Sequence, residues 1–368
     1  MISSITKLKS YSNVFKIATL SGLVSGARFI YMFYFSTIDK SNPKGVADLI
    51  FIIGNNALFV SLFSSLVLIP IAQYKRYNLN GILLFLFLSI LTSFLWNSIY
   101  GYSFLVVCLT VFLLISNLFY EFVRRTLFIV HPKEVTKLDL SITLSVLIAL
   151  GIFIFKSWSI HYFLFIVSLC FLSTSLYFVD FKNFKNQFEI TDLVSFFKLN
   201  HSGFGQSLLM FIASNTVFQL VNIYGDSKVF TKVNFVRIWV APLGLILNAL
   251  EFVFSRDKFE GNVPNKPLIF TLLGSIVSII FLKNELLLYS LGFLVIVPFQ
   301  FWLKSIQINL RQKELHSRIW FINVLFTVLS VVFSFLFILS FDWQFWSWYI
   351  LLTYFILWII LIYGKKID

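Results

Sequence analysis

The stretch Phe15–Phe35, FKIATLSGLVSGARFIYMFYF, decides the fold of this chain. It is about 20 residues long, and a helix rising 1.5 Å per residue would carry it across the roughly 30 Å hydrocarbon core of a bilayer. One charge interrupts it. Arg28 lies about 8 residues from the far end, roughly 12 Å deep by the same rise. A guanidinium facing lipid at that depth is costly, so Arg28 is expected to face protein or a water-filled cavity. A second apolar stretch, Lys232–Phe252, carries Arg237 at a comparable depth. Two cations at one level, one in each half of the chain, suggest a site for an anion.

The rest of the composition agrees with a membrane. Of the 368 residues 59% are hydrophobic and 12% charged, and the mean hydropathy is +0.89. Apolar runs fill nearly the whole length, which excludes a soluble globular chain. The runs are long and unbroken, whereas a β-barrel would alternate in short strands. About 12 spans of bilayer length can be counted, at 15–36, 46–72, 81–99, 102–123, 138–155 and 158–179, then 203–224, 229–252, 267–282, 286–303, 319–340 and 344–363. The 47 Phe read as lipid-facing and inter-helix filler.

Charge orients the spans. With the N-terminus inside, about 21 Lys and Arg fall in inner loops, and Lys40, Lys44, Lys156, Lys228, Lys232 and Lys283 fall outside. Arg28 and Arg237 alone are left within spans. Both termini are therefore expected in the cytoplasm, and the net charge of +13 serves the membrane surface and not nucleic acid. Lys7, Lys9 and Lys16 precede the first span, but Arg28 breaks it and no cleavage site ends it, so it reads as a retained helix. Cys108 and Cys170 lie inside spans without metal-type spacing.

The segment Asp180–Asn200 divides the chain. Phe181, Phe184 and Phe188 recur among Lys182, Lys185 and Glu189 at helical spacing, which predicts an amphipathic helix on the inner surface. The flanking halves, 1–179 and 201–368, echo each other. Phe15-Lys16 before the first span matches Phe197-Lys198 before the seventh, and Lys44-Gly45 before the second matches Tyr224-Gly225 before the eighth. The offset of about 180 residues fits two six-helix repeats of the same orientation, with substrate bound between them near the midplane.

Polar residues within spans supply the candidate site. Arg28 and Arg237 suit phosphate, since a planar fork donates two parallel hydrogen bonds and stays charged; bonding to backbone carbonyls is the structural alternative. Asn215, Gln219 and Asn222, spaced i, i+4, i+7, share one helix face and can serve hydroxyls of a glycan or tie helices together. Asn55 and Asn56 on the second span are weaker candidates of the same kind. Glu121 with Arg124 and Arg125 closes the fourth span as a local ion-pair cluster at the inner headgroups. Lys304, Gln307 and Arg311 continue the tenth span with a basic inner face, a headgroup anchor or a phospholipid entry point. Gly22 and Gly26 form a small-xxx-small pair that permits close helix approach, and Pro242, Gly244 and Pro298 mark kinks. Asp48 and Glu251 read as helix-end charges. His131, His161, His201 and His316 form no spaced motif, and no nucleophile–base set, metal cluster or glycine-rich phosphate loop is present. A catalytic role and a metal are not expected.

On these residues the chain resembles the polysaccharide flippases of the multidrug/oligosaccharidyl-lipid/polysaccharide exporter superfamily, the O-antigen, lipopolysaccharide and capsule repeat-unit translocases. The carrying segments are NLFYEFVRRTLFIVHP followed by LDLSITL, with Asp139 after the E-x-x-R-R cluster, and GQSLLMFIASNTVFQLVNIYGDSKVFTKVNFVRIWVAPLGLILNAL. The resemblance implies an all-α integral membrane protein of about twelve helices, in two six-helix lobes around a central cavity lined by the first, second, seventh and eighth. It implies a protein of the bacterial cytoplasmic (inner) membrane that flips undecaprenyl-pyrophosphate-linked oligosaccharide; because one chain contains both halves, a monomer is expected. Arg28 and Arg237 would then hold the pyrophosphate, and Asn215, Gln219, Asn222 and Asn56 the sugar. Expected partners are the glycan lipid, membrane lipids, and the polysaccharide polymerase with its chain-length machinery. No cofactor is expected, and coupling to H+ or Na+ is open. The rivals are a multidrug–cation antiporter of the same fold, which would want a carboxylate in the first or seventh helix, and a membrane polysaccharide polymerase or acyltransferase, which would want a large outer loop or a catalytic His.

Overall fold

The computed structural model of the chain describes residues 23–35 and 43–68 with gaps, 76–99, 101–156, 159–179 and 189–195 with single gaps. Beyond these it describes scattered helical positions at 205–220 and 299–310, then 315–340 and 352–360. Arg237, Asn215, Gln219, Asn222, Lys304 and Arg311 lie outside the described residues, as do Phe181, Phe184 and Phe188.

The described chain is helical apart from one short parallel pair, β1 (Arg76–Tyr77) with β2 (Glu189–Ile190), in register Arg76↔Glu189. Glu189, expected on the amphipathic helix, thus sits in a strand. The helices are α1 (Leu23–Met32), α2 (Pro43–Phe63), α3 (Leu79–Ile99), α4 (Phe104–Val130), α5 (Pro132–Lys156), α6 (Ile160–Phe178) and α7 (His316–Ser340). Four stretches among them are long and apolar enough to cross a bilayer: Phe104–Leu127, Glu134–Lys156, Ile160–Phe178 and Ser317–Leu336. The protein is an all-α, multi-pass membrane protein. By contacts it divides into two compact units, Gly26–Leu208 and Met1–Ser25 with Leu209–Asp368.

Local chemistry sets the helix ends. The Ser103 side chain accepts from the Val106 N–H to start α4, and Ser159 accepts from Tyr162 N–H to start α6. Asn78 Oδ1 accepts from Gly81 N–H at 2.7 Å at the head of α3. Between α3 and α4, Gly101 takes φ 70°, a left-handed turn that disfavours a side chain. The α4–α5 connection departs from expectation. The basic segment 124–137, read as a loop, is almost wholly helical: α4 runs on to Val130, His131 alone makes the turn, and α5 starts at Pro132. Proline suits a first helical position because its missing N–H has no partner there anyway.

Within the unit 26–208, α4 packs against α2, α3, α5 and α6 and is the central helix. Phe59, Leu62 and Phe63 of α2, Ile82 and Phe85 of α3, and Leu114 and Leu118 of α4 form one apolar cluster. A second core is aromatic. The Phe35 ring lies 5.0 Å from Phe153 and 5.2 Å from Phe163, and Tyr31 meets Phe163 edge-on at 5.2 Å. Lipid is as apolar as these side chains, so close packing and helix-to-helix polar contacts, not escape from water, hold such a bundle. Other phenylalanines face outward, as Phe155 at 89% exposure does. Some hydroxyls inside spans donate to their own helix: Thr110 donates to Val106 O at 2.8 Å, and Ser168 to Leu164 O at 2.8 Å.

Two expectations change here. A Cβ on Gly26 would meet no atom within 4 Å, so no described helix makes the close approach its spacing suggested. In the unit that includes residues 209–368, Gln307 is buried and donates to Asn323 Oδ1 on α7 at 2.8 Å. It is an interhelical tie, not part of a headgroup face. Thr327 on α7 likewise donates to Leu209 O at 3.0 Å.

Candidate functional site

Arg28 sits on α1 and is half-buried. Its Nη2 donates to Asn117 Oδ1 on α4 at 2.6 Å, and its Cζ lies 5.1 Å from the centre of the Phe171 ring on α6. Three helices therefore meet at this cation. Both partners are neutral and deeply buried, Asn117 at 5% exposure and Phe171 at 1%. The amide accepts one of five guanidinium N–H donors, and the ring face attracts the charge without cancelling it. Among the described residues no carboxylate pairs with Arg28.

The second cluster lies further along α4. Asp139 on α5 is fully buried. Arg124 Nε reaches its two oxygens at 3.2 and 3.0 Å, and the Tyr120 hydroxyl donates to Oδ1 at 2.7 Å. The carboxylate thus answers the Arg124 charge across helices, with excellent hydrogen-bond satisfaction. Glu121 acts electrostatically on both Arg124 and Arg125, but the ion pair of 3.0 Å is between Arg124 and Asp139. The expected local Glu121 cluster is therefore an interhelical one, and it sits about two turns before the helix end instead of closing it. Tyr120 also meets Phe171 edge-on at 5.3 Å, so Phe171 touches both clusters.

Asn56 is 3% exposed. Its Nδ2 donates to Ile52 O at 2.9 Å and, more weakly, to Thr110 O of α4 at 3.5 Å. That places it in the α2–α4 interface, with Oδ1 lacking a hydrogen-bond partner among the described residues. His161 at the start of α6 and Asp48 on α2 come together, with Nε2 3.7 Å from Oδ2. Cys108 and Cys170 are free thiols, and no group of three or more metal-type side chains occurs among the described residues.

Sequence reasoning missed Asn117, Tyr120 and Phe171. A signal for two of them was present: Asn117, Tyr120 and Arg124 recur at i, i+3, i+7 and so share one face of α4. Phe171 carried none, being one aromatic among 47 phenylalanines.

No family model matches the chain, and no curated protein matches it. Solved structures do. One is an outward-facing multidrug resistance MATE family transporter of the MOP superfamily, 13% identical with TM-score 0.59, covering 97% of this chain and 95% of that one. A MATE protein in complex with Br-NRF is 12% identical with TM-score 0.60, covering 97% and 96%. A MOP superfamily transporter from Pyrococcus furiosus, described as having a binding pocket of reverse polarity, is 12% identical with TM-score 0.59, covering 97% and 95%. The likeness runs over nearly the full length of each. This chain has the fold of the MATE transporters of the MOP superfamily.

Proposed function

We propose that this protein flips an undecaprenyl-pyrophosphate-linked oligosaccharide repeat unit from the cytoplasmic to the outer leaflet of the bacterial inner membrane. The observation that carries the reading is Arg28, a cation inside an apolar helix whose described partners, Asn117 and Phe171, are both neutral. A cation held by neutral groups within an apolar helix is of use to an anion, and a pyrophosphate headgroup is one with oxygens suited to a planar fork. The fold supports movement of a solute across the bilayer by alternating access. In this reading the polyprenyl tail stays in lipid while the head crosses, Arg237 supplies the second cation, and Asn215, Gln219 and Asn222 serve the sugar. The chain acts as a monomer with both termini in the cytoplasm, alongside the polymerase and chain-length machinery.

A multidrug–cation antiporter is the second reading, favoured by the likeness to a multidrug resistance transporter. It fits less well because the first helix bears Arg28 where a cationic drug would want a carboxylate.

Deleting the gene tests the reading, with wild type and an Arg28→Ala/Arg237→Ala double variant as complements. Complete lipid-linked repeat units should accumulate on the cytoplasmic face and be cleared by wild type alone. Normal export from a well-expressed double variant would sink the proposal. Unchanged glycan with lost drug resistance would instead establish the antiporter.

A further inference from the structure

We propose that Asn117 is a positioning residue of the anion site, and that its neutrality sets which headgroup the site accepts. The inference rests on the reading of Arg28 as the headgroup cation and adds a residue that reading does not contain. An arginine can only donate, so the amide must turn its oxygen to Nη2; the 2.6 Å contact fixes that orientation. Asn117 is buried on the central helix α4, which makes the acceptor a rigid one. The Phe171 ring, 5.1 Å from Cζ, limits the guanidinium on a second side. One donor and one face are thereby held by groups on two different helices. A long side chain that would lose much rotamer freedom on meeting a ligand is already restrained, which favours tight headgroup binding.

The orientation has a second consequence. With Oδ1 turned to Arg28, the Asn117 NH2 faces away from it, and it makes no hydrogen bond among the described residues. It is left as a neutral donor beside a cation, a combination that suits a multiply charged oxyanion. An aspartate would have the same shape and hold the guanidinium as firmly. It would also cancel the charge and replace the donor with an acceptor that repels phosphate. Asparagine is thus distinguished from its isostere by the ligand and not by the fold.

The test uses purified full-length protein in nanodiscs, with farnesyl pyrophosphate and farnesol as probes that share a tail and differ in the head. The readout is the ratio of the two affinities, which a packing defect would leave unchanged because it weakens both alike. Wild type should prefer the pyrophosphate, and Arg28→Ala should bring the ratio near unity. Asn117→Asp should match Arg28→Ala. Asn117→Ala should lose about tenfold of the preference, the scale of one charge-assisted hydrogen bond. Asn117→Gln should keep most of it. Should the aspartate variant fail to fold, the alanine and glutamine variants decide alone. If Arg28→Ala lowers the ratio while Asn117→Ala and Asn117→Asp keep it at wild type, the proposal is overturned and the Arg28 reading survives. If Arg28→Ala leaves the ratio unchanged, both fall.

Discussion

Arg28 and Arg124 lie in the same unit, each reaching from one helix to the next, and they differ in what stands opposite. Arg124 meets the fully buried carboxylate of Asp139 at 3.0 Å and shares it with the Tyr120 hydroxyl. Its charge is answered within the protein. Arg28 meets an amide oxygen and the face of a phenyl ring. Its position is fixed, but its charge is not answered there. A buried cation with a matched carboxylate is an element of architecture, whereas one held by neutral groups retains a field that a ligand can use. That difference is why Arg28, and not Arg124, carries the headgroup role proposed above.

The sharpest way to break this contrast is to remove Asp139. Asp139→Ala takes the matched carboxylate from Arg124 and the acceptor from Tyr120, which should cost roughly 3–5 kcal/mol. Thermal unfolding in detergent and the amount of protein in the membrane both report it. Replacing Arg124 and Asp139 together with Leu should recover much of the loss, as apolar isosteres of buried pairs often do. If Asp139→Ala folds as well as wild type but abolishes export, Asp139 belongs to the transport machinery and the contrast fails.

Arg28→Ala should do the reverse. The cation it removes has no carboxylate partner among the described residues and strands only the Asn117 oxygen, so stability should fall by about 1–2 kcal/mol, less than for Asp139→Ala, while headgroup affinity falls by roughly 3 kcal/mol, about 100-fold, on the scale of two charge-assisted hydrogen bonds. Export in cells with matched protein levels measures the second effect and unfolding the first. Tyr120→Phe is a smaller probe of the Arg124 cluster. It deletes one donor to a charged acceptor and leaves the ring against Phe171, so a loss of about 1.5–3 kcal/mol in stability is expected, with headgroup preference intact.

The contrast was only partly legible in the sequence. Apolar run length located the helices well: the third span, expected at 81–99, is Leu79–Ile99, and the sixth, expected at 158–179, is Ile160–Phe178. The Arg124–Asp139 pair was hidden by a turn. With 124–137 read as a basic loop, the nearest acid to Arg124 was Glu121 on its own helix. The turn is in fact His131 alone, followed by Pro132. Arg124 stands seven residues before that turn and Asp139 eight after it. In an antiparallel helical hairpin, residues equally far from the turn lie at the same level, so the pair could have been inferred once the turn was known. Asn117 was legible as a member of the α4 face that also carries Tyr120 and Arg124. Its pairing with Arg28 was not, because 89 residues separate them and no local periodicity encodes which faces of distant helices meet. The His161–Asp48 approach was invisible for the same reason.

Phe171 offers the finest cut, because its ring touches both cations' surroundings: Arg28 over one contact and Tyr120 over another. Phe171→Leu keeps an apolar side chain of nearly the same bulk, so packing loss should stay below about 1.5 kcal/mol. What leucine cannot supply is the ring quadrupole, worth about 0.5–2 kcal/mol to a neighbouring guanidinium. The Arg28 guanidinium should then lose one of its two neutral restraints and keep its charge. Headgroup preference should fall by a few-fold, less than with Asn117→Ala, and the Arg124–Asp139 pair should hold. Combining Phe171→Leu with Tyr120→Phe separates the two contacts. If Phe171 only fills space, the stability losses of the two substitutions add to within about 0.5 kcal/mol, since Tyr120→Phe leaves the ring pair in place, and the headgroup ratio does not move. If Phe171 holds Arg28, the ratio falls equally in the single and the double variant, since Tyr120 plays no part in orienting that guanidinium. A ratio that falls further in the double variant would mean that the two arginines are linked through Phe171, and that the fastener helps to aim the site.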